Sequence, residues 1–296
     1  MNRWSPYTRL LRPHHWIKNT FIFVPILFAK RDYLLTDFVR FVAVFVLFCL
    51  LASSLYILND LLDLKADRLI DEKKSRPLPS GQANPKKALG LAIFLTSISL
   101  LGCWWISSQQ VFVFFLSYFF LIILYSLWLK KIVLLDVIVL AIGFMIRLLI
   151  GSSLSEVPPT VWILLTTFFL ALFLSMAKRR HELKIMKAEA SQHRATLAFY
   201  TIVWLDQALT ALLAVIILCY SLFTVSPHAV QKFGSTHLMW TIPCVVYGLF
   251  RYLMLIHNDH AKSDIVKVIS KDIPLLLCLS LWGVMVMGIV YFQNNL

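Results

Sequence analysis

The stretch that organises this chain is Asn59–Asp67 (NDLLDLKAD), which directly follows the apolar run Phe38–Leu58 (FVRFVAVFVLFCLLASSLYIL). About 20 apolar residues are enough for a helix to cross a bilayer, so the run predicts a membrane span that ends in acidic residues. If the helix continues at ~100° per residue, the polar side chains on one face are Asn59, Asp60, Asp63 and Asp67, with Tyr56 pointing the same way. The sequence therefore predicts an acidic site at a membrane surface.

The three aspartates of this stretch predict a metal site. Carboxylates that lie close together repel one another unless a cation lies between them. Oxygen ligands in a site that handles phosphate favour Mg²⁺. The alternative is a solvated helix end, but Asp is a poor helix former and gains nothing locally from like-charged neighbours on the same face. We predict that Asp60, Asp63 and Asp67 are catalytic and hold Mg²⁺.

Composition predicts an integral membrane protein of the all-α class. The 296 residues are 59% hydrophobic and only 15% charged, against ~25% charged in soluble domains, and the mean hydropathy is +0.78. The net charge of +13 does not by itself indicate nucleic acid, because membrane proteins use Lys and Arg to set their orientation. The five cysteines are scattered through apolar runs, which predicts small core residues and no disulfide frame.

Apolar runs separated by charged or turn-rich loops predict nine spans. Most Lys and Arg residues fall on the side of the N-terminus, which predicts a multi-pass protein of the plasma membrane with the N-terminus and the active site in the cytoplasm. The basic, aromatic residues before the first span predict an uncleaved insertion signal. The predicted spans are 16–30, 38–58, 88–106, 111–129, 132–151, 159–177, 203–225, 237–256 and 273–292.

The informative residues collect in the loops on the predicted inner side. We see no internal repeat and no soluble domain, so we expect a single transmembrane domain over residues 1–296. Its active-site face should be formed by the inner loops 59–87, 130–131, 178–202 and 257–272. The third of these loops is expected to begin as an amphipathic helix over the membrane mouth.

Basic and polar residues near the acidic stretch complete the predicted substrate site. Each has an alternative role that the sequence leaves open: interface anchors around Lys18, an orienting charge at Arg76, and a structural pair of Asp136 with Lys130 or Lys131. Arg147 lies ~16 Å along the same helix from Asp136 and is expected to extend to the opposite interface. The predicted substrate-binding residues are Lys18, Asn19, Tyr56, Asn59, Arg76, Tyr125, Lys130, Asp136, Lys178, Arg179 and Arg251.

The residues around the acidic stretch resemble the UbiA superfamily of intramembrane prenyltransferases. Asn59-Asp60-x-x-Asp63-x-x-x-Asp67 is similar to the first Asp-rich motif of that superfamily, and Ser75-Arg76-Pro77-Leu78-x-x-Gly81 is similar to the segment that follows it. The resemblance covers essentially the whole chain. It implies a nine-helix bundle around a cavity open to the membrane, in which Asp motifs hold Mg²⁺ on a diphosphate.

One departure separates this chain from the usual member of that superfamily. A second motif of the form Asp-x-x-x-Asp is expected near the start of span five, whereas Asp136 has no acidic partner four residues away. Within the superfamily, the chain resembles the decaprenyl-phosphate phosphoribosyltransferases. The motifs that carry this resemblance are Arg12–Asn19, Tyr125–Lys130, Gly143–Arg147 and Lys178–Glu182.

The resemblance implies transfer of 5-phosphoribose from 5-phosphoribosyl 1-diphosphate to a polyprenyl phosphate. The partners expected are therefore these two substrates and the membrane, with no nucleic acid, and a homo-oligomer is compatible with the sequence. An alternative is transfer of a prenyl group from a polyprenyl diphosphate to an aromatic acceptor. A second alternative, a lipid-binding or transport protein, would predict ionisable residues on both sides of the midplane. Here nearly all of them lie on the predicted inner side.

Overall fold

A computed structural model describes residues 5–29, 33–69, 71–186, 195–257 and 272–292, and every regular element in these ranges is helical. The chain divides into two compact units by packing. The first unit comprises Met1–Pro25, Asp32–Val139 and Ile146–Val157. The second comprises Ile26–Arg31, Leu140–Met145 and Pro158–Leu296. The inner loops predicted at 178–202 and 257–272 lie partly outside the described residues.

Eight helical segments of the described residues are long and apolar enough to cross a membrane, which confirms the all-α membrane class. They match eight of the nine predicted spans. We number their α-helices in chain order: α1 Leu35–Leu62, α2 Pro85–Ile106, α3 Gln109–Leu127, α4 Leu135–Ser155, α5 Val161–Met186, α6 Ile202–Val225, α7 Ile242–His257 and α8 Ile273–Met287. A 3-10 helix His237–Thr241 precedes α7, and a π-helical turn Gly288–Phe292 follows α8.

The first predicted span, 16–30, is not one regular α-helix. A short helix Pro6–Leu10 is followed by a 3-10 helix Pro13–Phe23 and a four-residue α-helix Val24–Leu27. At ~2.0 Å per residue in a 3-10 helix and ~1.5 Å in an α-helix, the last two pieces reach ~28 Å, close to the ~30 Å hydrocarbon core. The count of nine spanning helices is not confirmed among the described residues.

In the first unit, α1 and α2 pack closely because small polar residues line their contact. Thr96 donates to the hydroxyl of Ser54 at 2.9 Å, and the hydroxyl of Ser99 donates to the carbonyl of Leu47. Small residues let helix backbones approach in a membrane, where no hydrophobic force drives helices together. Asn84 caps the start of α2 by accepting a hydrogen bond from the backbone N–H of Lys86 at 2.9 Å.

The acidic stretch lies where α1 ends. The helix stops at Leu62, Asp63 has φ −89° and ψ 2°, and a short helix Leu64–Asp67 follows. The helical bonding continues across this break, because the N–H of Asp63 donates to Asn59 at 2.9 Å and that of Asp67 donates to Asp63 at 2.8 Å. The predicted continuous helix is therefore interrupted at one residue, while its side chains stay on neighbouring turns.

The loop after the acidic stretch is held to the first unit by an apolar residue. Leu78 is 1% exposed and packs in a cluster that includes Leu10 and Ile57. Gly81 has φ +77°, a conformation that glycine adopts without strain, and it lets the chain turn towards α2. The loop that carries Arg76 is therefore held in place by the burial of Leu78, two residues later.

The second unit contains α5 to α8 and the short helices Ala195–Phe199 and Pro227–Phe233. Within it, α5 continues well past the end of the predicted span at 177, so the segment that starts at Lys178 extends the same helix. The indole of Trp282 donates to the hydroxyl of Tyr220 at 2.8 Å, which links α6 with α8. Tyr220 in turn shares a 2.6 Å hydrogen bond with Thr241.

A close approach of backbone to backbone occurs at Gly151 in α4. A methyl group added there would collide with the carbonyl group of Ile22 in the 3-10 helix. We expect Gly151→Ala to destabilise the protein by about 1–3 kcal/mol, as overpacking typically does. Thermal unfolding of the detergent-purified protein measures the effect. Gly90→Ala is the control, because nothing lies within 4 Å of that position. Equal melting temperatures for the two variants would contradict this packing.

Candidate active site

Asp60 is a buried carboxylate of the acidic stretch and is paired with an arginine from the N-terminal segment. Nη2 of Arg12 lies 2.5 Å from one carboxylate oxygen of Asp60 and 2.7 Å from the other. The side chain of Asp60 is only 4% exposed. The guanidinium of Arg12 also lies 5.4 Å from the ring centroid of Tyr56, one turn earlier on α1. This pair therefore joins the N-terminal segment to the end of α1.

Arg76 and Lys73 neutralise the last carboxylate of the stretch. Asp67, whose side chain is 3% exposed, accepts hydrogen bonds at 2.9 Å from Nζ of Lys73 and at 2.9 Å from Nη1 of Arg76. The same Nη1 lies 3.6 Å from Asp60. Arg76 therefore bridges two carboxylates that are two helical turns apart, which explains why its loop must be held in place.

The third carboxylate is paired with a lysine from the loop after α3. Nζ of Lys130 lies 2.6 Å from Oδ1 of Asp63 and 3.3 Å from Oδ1 of Asn59. The amide nitrogen of Asn59 donates to the other oxygen of Asp63 at 3.2 Å. The structure therefore brings Asn59, Asp63 and Lys130 together.

Arg76 links the Arg12–Asp60 pair to the Asp67–Lys73 pair, and Asp63 pairs separately with Lys130. We call these charged residues at the end of α1 the ion-pair network: Asp60, Asp63, Asp67, Arg12, Lys73, Arg76 and Lys130. Four cations and three carboxylates leave one positive charge in excess. Among the described residues, no group of three or more His, Cys, Asp or Glu side chains converges to hold a metal ion. The donors present are nonetheless carboxylate and amide oxygens, the type that Mg²⁺ takes, and each lies against a positive group.

Arg147 is buried within the first unit, and the prediction that it extends to the membrane interface is wrong. It is 4% exposed, its Nε donates to Asn19 at 2.9 Å, and its Nη2 donates to the hydroxyl of Tyr118 at 2.9 Å. The guanidinium lies 4.8 Å from the ring centroid of Tyr118 and 5.2 Å from that of Phe48. Hydrogen bonds and aromatic faces inside the unit replace the water that snorkelling would have supplied.

The other predicted residues of the first unit lie near its helix ends. Lys18 is half-buried in the 3-10 helix, next to the buried Asn19, whose amide donates to the sulfur of Cys49 at 3.2 Å. Tyr125 is buried near the end of α3, and Asp136 is fully buried in the first turn of α4. The residue before that helix, Leu134, has the unusual φ of 69°.

The remaining predicted cations belong to the second unit. Lys178 is exposed, whereas Arg179 is 1% exposed and lies 2.6 Å from Glu182 one turn later. Arg251 pairs with Asp272 at 2.9 Å. The hydrogen bond from Arg251 lowers the pKa of the Asp272 carboxyl below its ordinary value. This carboxyl is therefore ionised at neutral pH and compensates the charge of Arg251.

Sequence reasoning missed several members of these charge clusters. The sequence places Arg12 only in the motif Arg12–Asn19, and it does not distinguish Lys73 from the other basic residues of the predicted inner side. In the second unit, Nε of the buried Arg180 lies 2.5 Å from Asp206, whose carboxylate is also 3.2 Å from His257. An arginine inside a predicted span or beside a proline can indicate a buried ion pair. The sequence does not show its partner, because that residue lies far away along the chain.

Comparisons with known proteins identify a family and several relatives. The family model described as the UbiA prenyltransferase family matches residues 20–270. The chain is 31% identical over 226 residues to a decaprenyl-phosphate phosphoribosyltransferase of Mycolicibacterium smegmatis, which is 75% of this chain and 71% of that protein. It is 29% identical over 247 residues to a protein of the same name from Mycobacterium tuberculosis. These residues cover 81% of this chain and 82% of that protein.

A solved structure shares the fold. The structure of a UbiA homolog from Archaeoglobus fulgidus bound to GPP and Mg²⁺ matches with a TM-score of 0.74 and 18% identity over 97% of this chain and 99% of that chain. Together with the eight apolar helices, this defines a multi-pass helical membrane protein. The chain belongs to the UbiA prenyltransferase family and is a transferase.

A double-mutant cycle tests the buried contact of Arg147 with Tyr118. We expect Arg147→Met and Tyr118→Phe each to lower the free energy of unfolding, and the two effects to be coupled by about 0.6–1.7 kcal/mol, as hydrogen bonds within membranes are. Unfolding titrations of the four proteins give the coupling. As a control, Arg147→Met combined with Tyr220→Phe, whose hydroxyl bonds Trp282 and Thr241, should be additive. Additivity in both cycles would mean that the contact adds nothing to stability.

Proposed function

We propose that this protein transfers 5-phosphoribose from 5-phosphoribosyl 1-diphosphate to a polyprenyl phosphate and releases diphosphate. The observation that carries the proposal is the excess of positive charge in the ion-pair network at the end of α1. Both substrates are phosphate esters, so a positive site at the end of a membrane helix suits them. The relatives from M. smegmatis and M. tuberculosis are named decaprenyl-phosphate phosphoribosyltransferases, which supports transfer of a phosphoribosyl group to a polyprenyl phosphate.

The donor explains why so many cations are needed. It carries a diphosphate on C1 and a phosphate on C5, and the acceptor brings a third phosphate group. In the first unit, Arg76 and Lys130 can each give a charge-assisted hydrogen bond to phosphate while they remain beside the carboxylates. Lys18, Asn19, Tyr56, Asn59, Tyr125 and Asp136 would line the same pocket. Lys178, Arg179 and Arg251, which belong to the second unit, stay predicted substrate-binding residues.

The transfer step requires alignment more than acid–base chemistry. The C1–O bond to diphosphate breaks and its electron pair leaves with the diphosphate, while C1 gains positive character. An oxygen of the acceptor phosphate then forms the new bond to C1. This oxygen is already anionic at neutral pH, so no proton has to be removed. Arg76 and Lys130 would stabilise the departing charge, and the membrane-facing site would hold the acceptor in line.

The carboxylates provide a place for a divalent cation. Asp60, Asp63 and Asp67 offer carboxylate oxygens, the donor type that Mg²⁺ prefers, and each would exchange a positive side chain for the metal ion. When bound, Mg²⁺ would supply charge that neutralises the leaving diphosphate. We further propose that residues 1–296 act as a single transmembrane domain in the plasma membrane. Its active-site face would be cytoplasmic, as the distribution of Lys and Arg indicates.

A prenyl transfer to an aromatic acceptor is the second candidate, favoured by the description of the family as prenyltransferases. The lone Asp136 argues against it, because the sequence lacks the second Asp-x-x-x-Asp motif that the resemblance would require. A mass-spectrometric assay separates the two functions. Purified protein with Mg²⁺ receives either phosphoribosyl diphosphate with polyprenyl phosphates of several lengths, or a polyprenyl diphosphate with aromatic acceptors. Product in the second reaction alone would overturn the phosphoribosyl proposal.

The carboxylates can be tested one at a time. We expect Asp60→Asn, Asp63→Asn and Asp67→Asn each to remove most phosphoribosyl transfer while the protein still inserts and folds, because each removes a metal ligand. EDTA should abolish activity, and added Mg²⁺ should restore it. Asp37→Asn is the control, since this carboxylate accepts a hydrogen bond from Leu34 at the other end of α1. Near-normal activity in all three variants would mean that the metal binds elsewhere. Activity in excess chelator would mean that the reaction needs no metal.

The donor's 5-phosphate provides a sharper test of the cations. Lys→Met at positions 18, 130 and 178 and Arg76→Met should each weaken donor binding by about 1.5–3 kcal/mol if a charge-assisted hydrogen bond is lost. We expect at least one of the four variants to discriminate less between phosphoribosyl diphosphate and an analogue without the 5-phosphate. Lys87→Met, at an exposed position in the first turn of α2, controls for the lost charge. Parallel losses for both donors would leave these cations as ligands of the diphosphate or as orienting charges.

A further inference from the structure

Arg12 is held in a strained backbone conformation directly beside the carboxylate that it contacts. Its φ of 49° and ψ of 57° lie in the left-handed region, and it is one of only three described residues other than glycine with positive φ. Pro13 follows it, and a residue before proline normally adopts an extended conformation. Such strain persists only where the surrounding structure enforces it, and it is common at functional sites.

The residues on either side of Arg12 are fixed to α1 by one buried serine. The hydroxyl of Ser53 donates to the carbonyl of Leu11 at 2.8 Å, and the indole of Trp16 donates to the same hydroxyl at 3.0 Å. Ser53 lies two helical turns before Asp60 on α1, so the anchored segment and the carboxylate share one face. The backbone of Arg12 is therefore positioned by α1, while its side chain extends along that helix to Asp60.

The exposure of the pair is unequal. The side chain of Arg12 is 20% exposed, whereas that of Asp60 is 4% exposed. One nitrogen, Nη2, lies against both oxygens of the carboxylate. A cation that approaches Asp60 from solvent must therefore take the place of this nitrogen.

We propose that Arg12 and a divalent cation compete for Asp60, and that Arg12 transfers its guanidinium to a phosphate group of the ligand when the cation binds. This inference rests on the proposed function for the nature of the ligand, a diphosphate ester. Arg12 is then both a competitor of the metal and a ligand of the diphosphate. Neither role follows from its place in an interface anchor.

The exchange follows from charge. A divalent cation at Asp60 repels a guanidinium held a few ångströms away, and the low dielectric around a buried carboxylate strengthens this repulsion. A phosphate that arrives with the metal offers the guanidinium a new acceptor, because two phosphate oxygens can accept hydrogen bonds from its planar fork. Arg76 lies 3.6 Å from Asp60 but 2.9 Å from Asp67, so it is not the group that covers the Asp60 carboxylate.

Two binding measurements on the purified full-length protein test this exchange. In the first, Mn²⁺ binding without diphosphate is followed by electron paramagnetic resonance, with Mn²⁺ replacing Mg²⁺ on oxygen ligands. We expect Arg12→Gln to bind Mn²⁺ about tenfold more tightly, because its competitor is gone. In the second, inorganic diphosphate is titrated at saturating Mg²⁺. Here we expect Arg12→Gln to bind about 10- to 100-fold more weakly, the size of a lost charge-assisted hydrogen bond.

The controls separate this exchange from a general effect of charge. Arg9→Gln removes the same charge one turn earlier, where the guanidinium contacts the amide of Gln82, and it should leave both affinities unchanged. Arg12→Lys keeps the charge, and both of its affinities should lie between those of the wild type and Arg12→Gln. If Arg12→Gln does not fold, Arg12→Lys still tests the proposal. Weaker Mn²⁺ binding in the Arg12 variants would overturn the proposal, because Arg12 would then only position Asp60. Unchanged diphosphate binding would overturn it too.

The proposed function can fail separately. If the wild-type protein transfers no phosphoribose, yet the two affinities of Arg12→Gln shift in opposite directions, the exchange stands and the donor is a different diphosphate. If phosphoribosyl transfer is found but both affinities shift in the same direction, the function stands and the exchange is overturned.

Discussion

The pairing of three carboxylates at the end of α1 with four cations is the interaction on which the first unit depends. The cations come from the N-terminal segment, from the loop before α2 and from the loop after α3, so the pairs join segments that are distant in sequence. The charges that suit a phosphate ligand are therefore also those that assemble the site.

Arg147 shows how a second buried charge is accommodated away from this network. A cation within a membrane helix needs either water at the interface or partners inside the protein. Here Asn19, Tyr118 and the ring of Phe48 provide the partners, and they come from three different segments. The residue therefore holds the 3-10 helix, α1, α3 and α4 together. This helix also carries Lys18, so the packing around Arg147 positions a predicted substrate residue.

The ion-pair network differs from a site built from two acidic motifs. The sequence resembles a family whose usual member has a second Asp-x-x-x-Asp motif near the start of span five, and here only Asp136 is present. Just before that position, Lys130 binds the first motif at Asp63. The lysine raises the positive charge at the end of α1, which suits the proposed ligands with their several phosphate groups.

The sequence alone determined the all-α membrane class, the location of eight spans and the concentration of acid after Leu58, because length, hydropathy and charge are local properties. It also indicated the family, through short motifs. Only the tertiary structure decided which cation meets which carboxylate, since Arg12 and Asp60 are separated by 48 positions and a spanning helix. It likewise decided the 3-10 geometry of the first segment and the burial of Arg147. Both depend on packing against neighbouring helices, and a local sequence pattern does not show which helices will be neighbours.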